Sequence, residues 1–166
     1  MERFFTRIAW FIGLVFVQVL FLNHIYLFGL ATPFLYIYLI LVLDKDVEPI
    51  ALMLTAFVLG LIIDMFCNTP GVNAGASVLL AFSRMRLLRL FAPREEFENY
   101  EPGIYTLGIG AFIRYALTAA LLHHAVLFLL EAFSIAQFGY LALRVLCSTV
   151  LTVLLIIAIE FIRHRR

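Results

Sequence analysis

The chain has 166 residues, of which 64% are hydrophobic and 14% are charged. An ordinary soluble domain carries about 25% charged residues, so this composition is typical of a protein that lies in a lipid bilayer. Since a membrane-spanning helix takes about 20 residues, the length leaves no room for a separate soluble domain beside several spans. The net charge of +1 gives no indication of a nucleic-acid partner.

The first apolar run, about Ile8 to Phe28, is longer than the core of a cleavable signal peptide, so it is interpreted as the first membrane anchor. No residue from Ile8 to Leu43 is charged, and Gly29 and Pro33 interrupt the run. This pattern predicts a helical hairpin with a short second arm. The predicted spans of the whole chain cover about residues 8–28, 33–43, 50–66, 72–91, 104–130 and 135–162.

The distribution of Lys and Arg predicts the orientation of these spans, because basic residues gather on the cytoplasmic side of a membrane. Six spans with both termini in the cytoplasm leave no Lys or Arg in an outside loop, whereas five spans would send a terminal arginine cluster outward. The sequence therefore predicts an all-α integral membrane protein with six transmembrane helices, forming one domain over residues 1–166. The cytoplasmic flank of its fourth span is Arg84, Arg86 and Arg89.

Three ionisable residues, Asp64, Arg114 and Arg144, fall inside predicted spans. A charge at such a position costs about 2.5–3.5 kcal/mol on insertion scales, so each needs a partner. Counting the helical rise from the span ends places all three at one depth, in the outer half of the membrane. One interpretation is a buried ion pair of Asp64 with either arginine. The other is that the surplus arginine binds Glu131, an anionic ligand or an acidic group of a partner.

Small residues suggest two surfaces of close helix approach, at Gly71-x-x-x-Gly75 and around Gly108 and Gly110. Each is either internal packing or a docking face. His123 and His124 point about 100° apart on a helix and have no acidic or thiol ligand one turn away, so no metal site is expected. No nucleophile stands in a catalytic motif. We expect neither a cofactor nor an enzymatic activity. Cys67 and Cys147 are interpreted as core residues.

The stretch around Asp64 is similar to the core motif of the MreD family, the small membrane subunit of the bacterial rod-shape (elongasome) system. The matching residues are Gly60-Leu61-Ile62-Ile63-Asp64, Phe66, Thr69-Pro70-Gly71 and Ala74. Leu27-Phe28-Gly29 with Pro33, the chain length and the arginines from Arg84 to Arg89 also agree with the family. Two positions depart from it: the first cytoplasmic loop has Asp44-Lys45-Asp46 without the usual Pro, and Asn73 replaces a common His.

This resemblance implies a non-enzymatic scaffold in the bacterial cytoplasmic membrane. Such a protein would hold the single-span MreC and link MreB filaments to the RodA glycosyltransferase and its transpeptidase partner. The residues assigned to helix packing or partner contact are Gly60, Asp64, Thr69, Pro70, Gly71 and Ala74 from the motif, with Gly75 and Gly108 from the small-residue patterns. The family's fold resembles the substrate-binding S components of energy-coupling-factor transporters.

That fold similarity supplies the alternative function, because one fold hosts several functions. The chain would then bind a small molecule in an outward cavity near Asp64, Arg114 and Arg144. A ligand subunit needs several hydrogen-bonding side chains around its cavity and an outward loop that covers it. The predicted outside loops are short and the outer half has few polar groups. These features favour the scaffold.

Overall fold

The computed structural model describes residues 2–92, 101–132 and 138–163, with side chains from residue 8 onward. Within these ranges the chain is helical and contains no β-strand. The helices are α1 (Glu2–Leu20), α2 (Ile37–Val42), α3 (Pro49–Cys67), α4 (Val72–Phe91), α5 (Ile104–Leu107), α6 (Ile109–Ala132) and α7 (Phe138–Arg163). Of the described helices, α3, α6 and α7 are long and apolar enough to cross a membrane. The expectation of an all-helical membrane protein is confirmed.

The long helices pack side by side around a buried centre. Helix α3 packs along α4, α4 along α6, and α6 along α7, while α1 contacts α3. Helix α2 lies inside, against α4, α6 and α1. The bundle has two ends, which we name after buried acidic residues. The Asp64 end contains the α3–α4 turn and the C-terminal end of α6, and the Glu160 end contains the C-terminal ends of α2, α4 and α7.

The second predicted span, residues 33–43, is not a continuous helix. Only Ile37–Val42 is helical. Residues 32–34 are extended and Leu35 and Tyr36 form a turn, and we call residues 32–36 the extended segment. The backbone N–H groups of Thr32 and Phe34 donate to Ser148 and Thr152 of α7. Ser148 and Thr152 are four residues apart on α7, a helical rise of about 6 Å. The chain from Thr32 to Phe34 covers the same distance in two residues, about 3 Å each, as an extended chain does.

This extended chain is tolerated because protein surrounds it. Every side chain from Phe34 to Val42 is buried. Non-helical backbone at membrane depth requires partners for its N–H and C=O groups, and these come from neighbouring helices when lipid is excluded. The sequence pattern of an apolar run does not distinguish such a segment from a helix, which is why the expectation of a second helical arm is wrong for residues 33–36, whereas Ile37–Val42 is helical.

The other predicted segments differ from the helices mainly at their ends. Helices α3 and α4 begin and end within one residue of segments 50–66 and 72–91. The first segment leaves the α-helix at Leu20 and continues as a short 3₁₀ turn. The fifth segment breaks at Gly108, whose φ of 81° lies in the left-handed region that glycine enters without strain. As a result α6 starts at Ile109, five residues later than predicted.

Candidate functional site

The carboxylate of Asp64 caps the N-terminus of the neighbouring helix α4. Asp64 is buried near the C-terminal end of α3. Its Oδ1 accepts hydrogen bonds of 2.9 Å from the backbone N–H and the side-chain amide of Asn73 and from the hydroxyl of Thr69. Its Oδ2 accepts one of 3.0 Å from the backbone N–H of Ala74. The first N–H groups of a helix lack partners within the helix and favour negative charge, so Asp64 satisfies both needs.

Gly60 permits this capping because it brings the two helix backbones into contact. A Cβ atom on Gly60 would lie 2.5 Å from the Cα of Ala74 and 2.6 Å from the Asn73 carbonyl oxygen. Gly71 has a φ of 83° at the N-cap position of α4. Together with Asp64 these residues form one unit, which we call the α3–α4 joint.

The residues assigned to packing or partner contact fall into two groups by their exposure. Gly60, Asp64 and Ala74 are buried and serve internal packing, so they are not on a docking surface. Pro70, Gly71, Gly75 and Gly108 are exposed, and Thr69 is half-buried. The tightest backbone contact is made by Gly60 and not by Gly71 or Gly75, so internal packing and a docking face both stay open as interpretations of the small-residue patterns.

The predicted ion pair of Asp64 with an arginine is not formed. Asp64 already accepts hydrogen bonds from α4, and Arg144 pairs with Glu131 at 3.3 Å. The guanidinium of Arg144 also lies over the ring of Phe128, 4.2 Å from its centroid. Glu131 was the alternative acceptor for the surplus arginine. The ion-pair interpretation failed because the sequence does not reveal that a helix N-terminus will face Asp64.

Arg114 lies far from Asp64 along the bundle. Helices α3 and α6 run in the same direction, since both are antiparallel to α4. Asp64 is close to the end of α3, whereas Arg114 is five residues after the start of α6, about 8 Å along its axis. The prediction of one common depth is wrong because it counted the helical rise through Gly108, where the helix is broken.

A chain of hydrogen bonds continues from the joint into the centre. The hydroxyl of Tyr36 donates to Oδ1 of Asn73 at 3.1 Å and lies 2.9 Å from Nε2 of His123. His124 lies 3.0 Å from the hydroxyl of Thr149. All of these side chains are buried. The two histidines therefore join α6 to the extended segment and to α7. Among the described residues, no three His, Cys, Asp or Glu side chains are grouped as metal ligands.

Gln18 supplies the backbone of the extended segment with both donor and acceptor. It is fully buried in α1. Its Oε1 accepts from the backbone N–H of Leu35 at 2.8 Å and of Tyr36 at 3.4 Å, and its Nε2 donates to the Pro33 carbonyl at 2.9 Å. A single amide thus replaces the hydrogen bonds that a helix would have made within itself.

Replacing Gln18 with leucine is expected to lower the free energy of unfolding by about 2 kcal/mol, because it leaves buried backbone groups unpaired while the side-chain volume changes little. Asn23→Leu is the matched control, since within the described part of the chain Asn23 bonds to the side chains of Gln18 and Cys67 and to no backbone group. Denaturant titration in detergent micelles measures both variants. Equal destabilisation by the two would show that the backbone bonds of Gln18 contribute little.

Arg84, expected at the cytoplasmic flank, points into the protein instead. It is 1% exposed, and its guanidinium donates to the backbone carbonyls of Leu43 and Asp44. These carbonyls follow α2, so Arg84 satisfies the end of that helix. Arg86 and Arg89 are exposed as expected. One sequence signal could have predicted that Arg84 points inward: the polar residues Asn73, Ser77 and Arg84 have a helical spacing that places them on one face of α4.

Glu160 was missed by sequence analysis. It is fully buried in α7, accepts a hydrogen bond from the hydroxyl of Tyr38, and accepts one of 2.9 Å from the backbone N–H of Ile104. Arg163 lies 3.6 Å from it and also pairs with Glu101. This cluster ties α7 to α2 and α5. A lone acidic residue three positions before an arginine in an apolar run was the only sequence signal.

The described fold and its buried polar groups define a helical membrane protein whose polar interior residues join helices to one another. Comparisons of the chain with protein-family models, with curated proteins and with solved structures found no match.

Proposed function

We propose that the chain is a non-enzymatic scaffold of the MreD type in the bacterial cytoplasmic membrane. The observation that carries the proposal is that the residues shared with the family motif act together. Gly60, Asp64, Thr69, Gly71 and Ala74 come from two helices and build one joint. Proteins that share a fold are expected to share the residues that fix how two of its helices pack, and these motif residues do so.

The proposed topology has six spans with both termini in the cytoplasm. It is supported by the course of the chain, which runs between the two ends as α1, the segment 32–42, α3, α4, α6 and α7. The exposed arginines of α4, Arg86 and Arg89, and Arg163 of α7 all lie at the Glu160 end. Under the positive-inside rule this end faces the cytoplasm.

The S-component alternative requires a ligand cavity near Asp64, Arg114 and Arg144, and the arrangement of these residues does not support it. Asp64, Arg114 and Arg144 do not converge, because Asp64 caps α4 and Arg144 pairs with Glu131. Two grooves lined by described residues have apolar linings and are open on one side. One of about 270 Å³ lies between α6 and α7, and one of about 500 Å³ lies between α1 and α7. Neither offers the convergent polar groups that fix a small ligand.

The proposed partners are an MreC-like single-span protein, MreB, and RodA with its transpeptidase partner. The exposed start of α4 is the proposed contact for the single-span partner. Gly71 has open space around its Cβ position, and Gly75 is exposed, with Leu130 at 3.5 Å from its Cβ position. Glycines on an exposed helix face allow the backbone of another membrane helix to approach closely.

Affinity purification of the tagged chain from its native membrane in mild detergent tests this function. We expect an MreC-like protein and wall synthases to co-purify with the natural chain and with Gly139→Leu, a control whose Cβ position is open. Gly75→Leu should lose the single-span partner. Recovery of two ATPases with a coupling subunit, or of a bound vitamin-like metabolite, would instead identify a transporter component.

A further inference from the structure

Arg114 is a charged residue on the outer surface of a helix that can cross a membrane. It is exposed on α6, on a stripe that continues through Leu117 and Leu121, which are 42% and 39% exposed. Within the described part of the chain no acidic side chain pairs with it. A cation facing lipid without a partner is costly, so its surroundings should supply negative charge.

The Arg114 side chain folds back toward the Glu160 end. Its Nη1 atom lies 3.8 Å from the position that a Cβ atom of Gly110 would occupy. Gly110 is itself exposed and has no side chain, so the guanidinium lies over a notch in the helix surface. Long basic side chains bend in this way toward the membrane interface, where the phosphates of lipids lie.

A second arginine reaches the same depth from the adjacent helix. The contact of Gly75 with Leu130 fixes the antiparallel register of α4 and α6. From that contact, Arg89 lies about 21 Å along α4 and Arg114 about 24 Å back along α6. Both residues are exposed, and α4 and α6 pack against each other. Arg89 therefore lies at the level of Arg114 and adds positive charge there. The 16 helical positions from Leu130 turn Arg114 about 160° away from the face that meets α4, so the two arginines do not face each other.

We propose that Arg114 and the Gly110 notch bind the phosphate headgroup of an anionic phospholipid in the leaflet at the Glu160 end, where Arg89 adds positive charge at the same level. The planar fork of arginine matches the oxygens of a phosphate, and positive charge at this level favours a lipid with net negative charge over a zwitterionic one. A carboxylate on a partner helix fits less well, because Arg114 points toward the interface and away from the membrane centre. The site does not depend on the scaffold function.

Native mass spectrometry of the full chain in a phosphatidylglycerol and phosphatidylcholine mixture tests the site. We expect the natural chain to retain phosphatidylglycerol preferentially, and Arg114→Gln to bind it about fivefold more weakly, the effect of one basic residue near an anionic membrane surface. Arg114→Lys should keep part of the affinity. Gly110→Leu, which fills the notch and keeps the charge, should also weaken binding, whereas Gly139→Leu should not.

Several results would overturn the proposal. Unchanged phosphatidylglycerol binding by Gly110→Leu and by folded Arg114→Gln would exclude the site. Displacement of the lipid by excess inorganic phosphate would identify a soluble phosphate as the ligand. Loss of a co-purifying protein from Arg114→Gln, with lipid retention unchanged, would make this surface a protein interface. If Arg114→Gln does not fold, the comparison of Gly110→Leu with Gly139→Leu decides the question alone.

Discussion

Replacing Gly60 with alanine is expected to lower the free energy of unfolding by about 3 kcal/mol, at the upper end of the cost of overpacking a core. The added Cβ atom would lie 2.5 Å from the Cα and 2.6 Å from the backbone nitrogen of Ala74. Backbone atoms cannot rotate away as the end of a side chain can, so α3 and α4 would have to separate. Denaturant titration in detergent micelles measures the loss.

Gly75→Ala is the matched control for this substitution. The nearest atom to its Cβ position is a side-chain carbon of Leu130 at 3.5 Å, an ordinary contact. Both glycines are in helices, so the gain in helix propensity on substitution by alanine is similar and slightly stabilising. If Gly60→Ala were as stable as Gly75→Ala, the close contact of α3 with Ala74 would be wrong.

Replacing Asp64 with alanine should lower the free energy of unfolding by about 3 kcal/mol, because it removes the acceptor for two buried backbone N–H groups of α4 and leaves them unpaired. Those groups belong to Asn73 and Ala74, and the side chains of Thr69 and Asn73 also lose their acceptor. The same titration in micelles, with circular dichroism as the signal, measures the effect.

Two further variants separate capping from ion pairing. Asp64→Asn retains one acceptor oxygen without charge and should recover part of the stability, while Asp46→Ala, at an exposed acidic position, should have almost no effect. Exchange of charges, Asp64→Arg with Arg114→Asp, should give no recovery, since the two residues lie near opposite ends of the bundle. Recovery by this exchange would restore the ion-pair interpretation and contradict the capping geometry.

The buried polar groups of this protein share one physical task, which is to complete backbone hydrogen bonds where helices end or are interrupted. Asp64 completes the start of α4, Arg84 the end of α2, and Glu160 the start of α5. Gln18 and Thr152 serve the extended segment. In a membrane no water reaches such groups, so side chains from other helices must take its place. The result is a set of fixed helix positions.

The sequence predictions were accurate where the deciding interactions join residues close in the chain, and inaccurate where they join residues on separate helices. The bounds of α3 and α4 followed from Pro49, from the turn at Pro70-Gly71 and from the apolar runs, all of which are local signals. The partner of Arg144 was among the alternatives, because Glu131 lies close in the chain. The capping by Asp64 and the burial of Glu160 involve groups on separate helices, which no local pattern specifies.

The sequence by itself determined the class of protein, because an excess of apolar residues excludes a soluble fold and requires backbone groups to be satisfied within helices. It also determined where α3, α4 and α7 run. Only the tertiary structure decided that residues 32–34 are extended and that Arg84 points inward. An apolar segment forms its own helix unless neighbouring helices supply hydrogen-bond partners, and whether Gln18, Ser148 and Thr152 meet that segment depends on how distant helices pack.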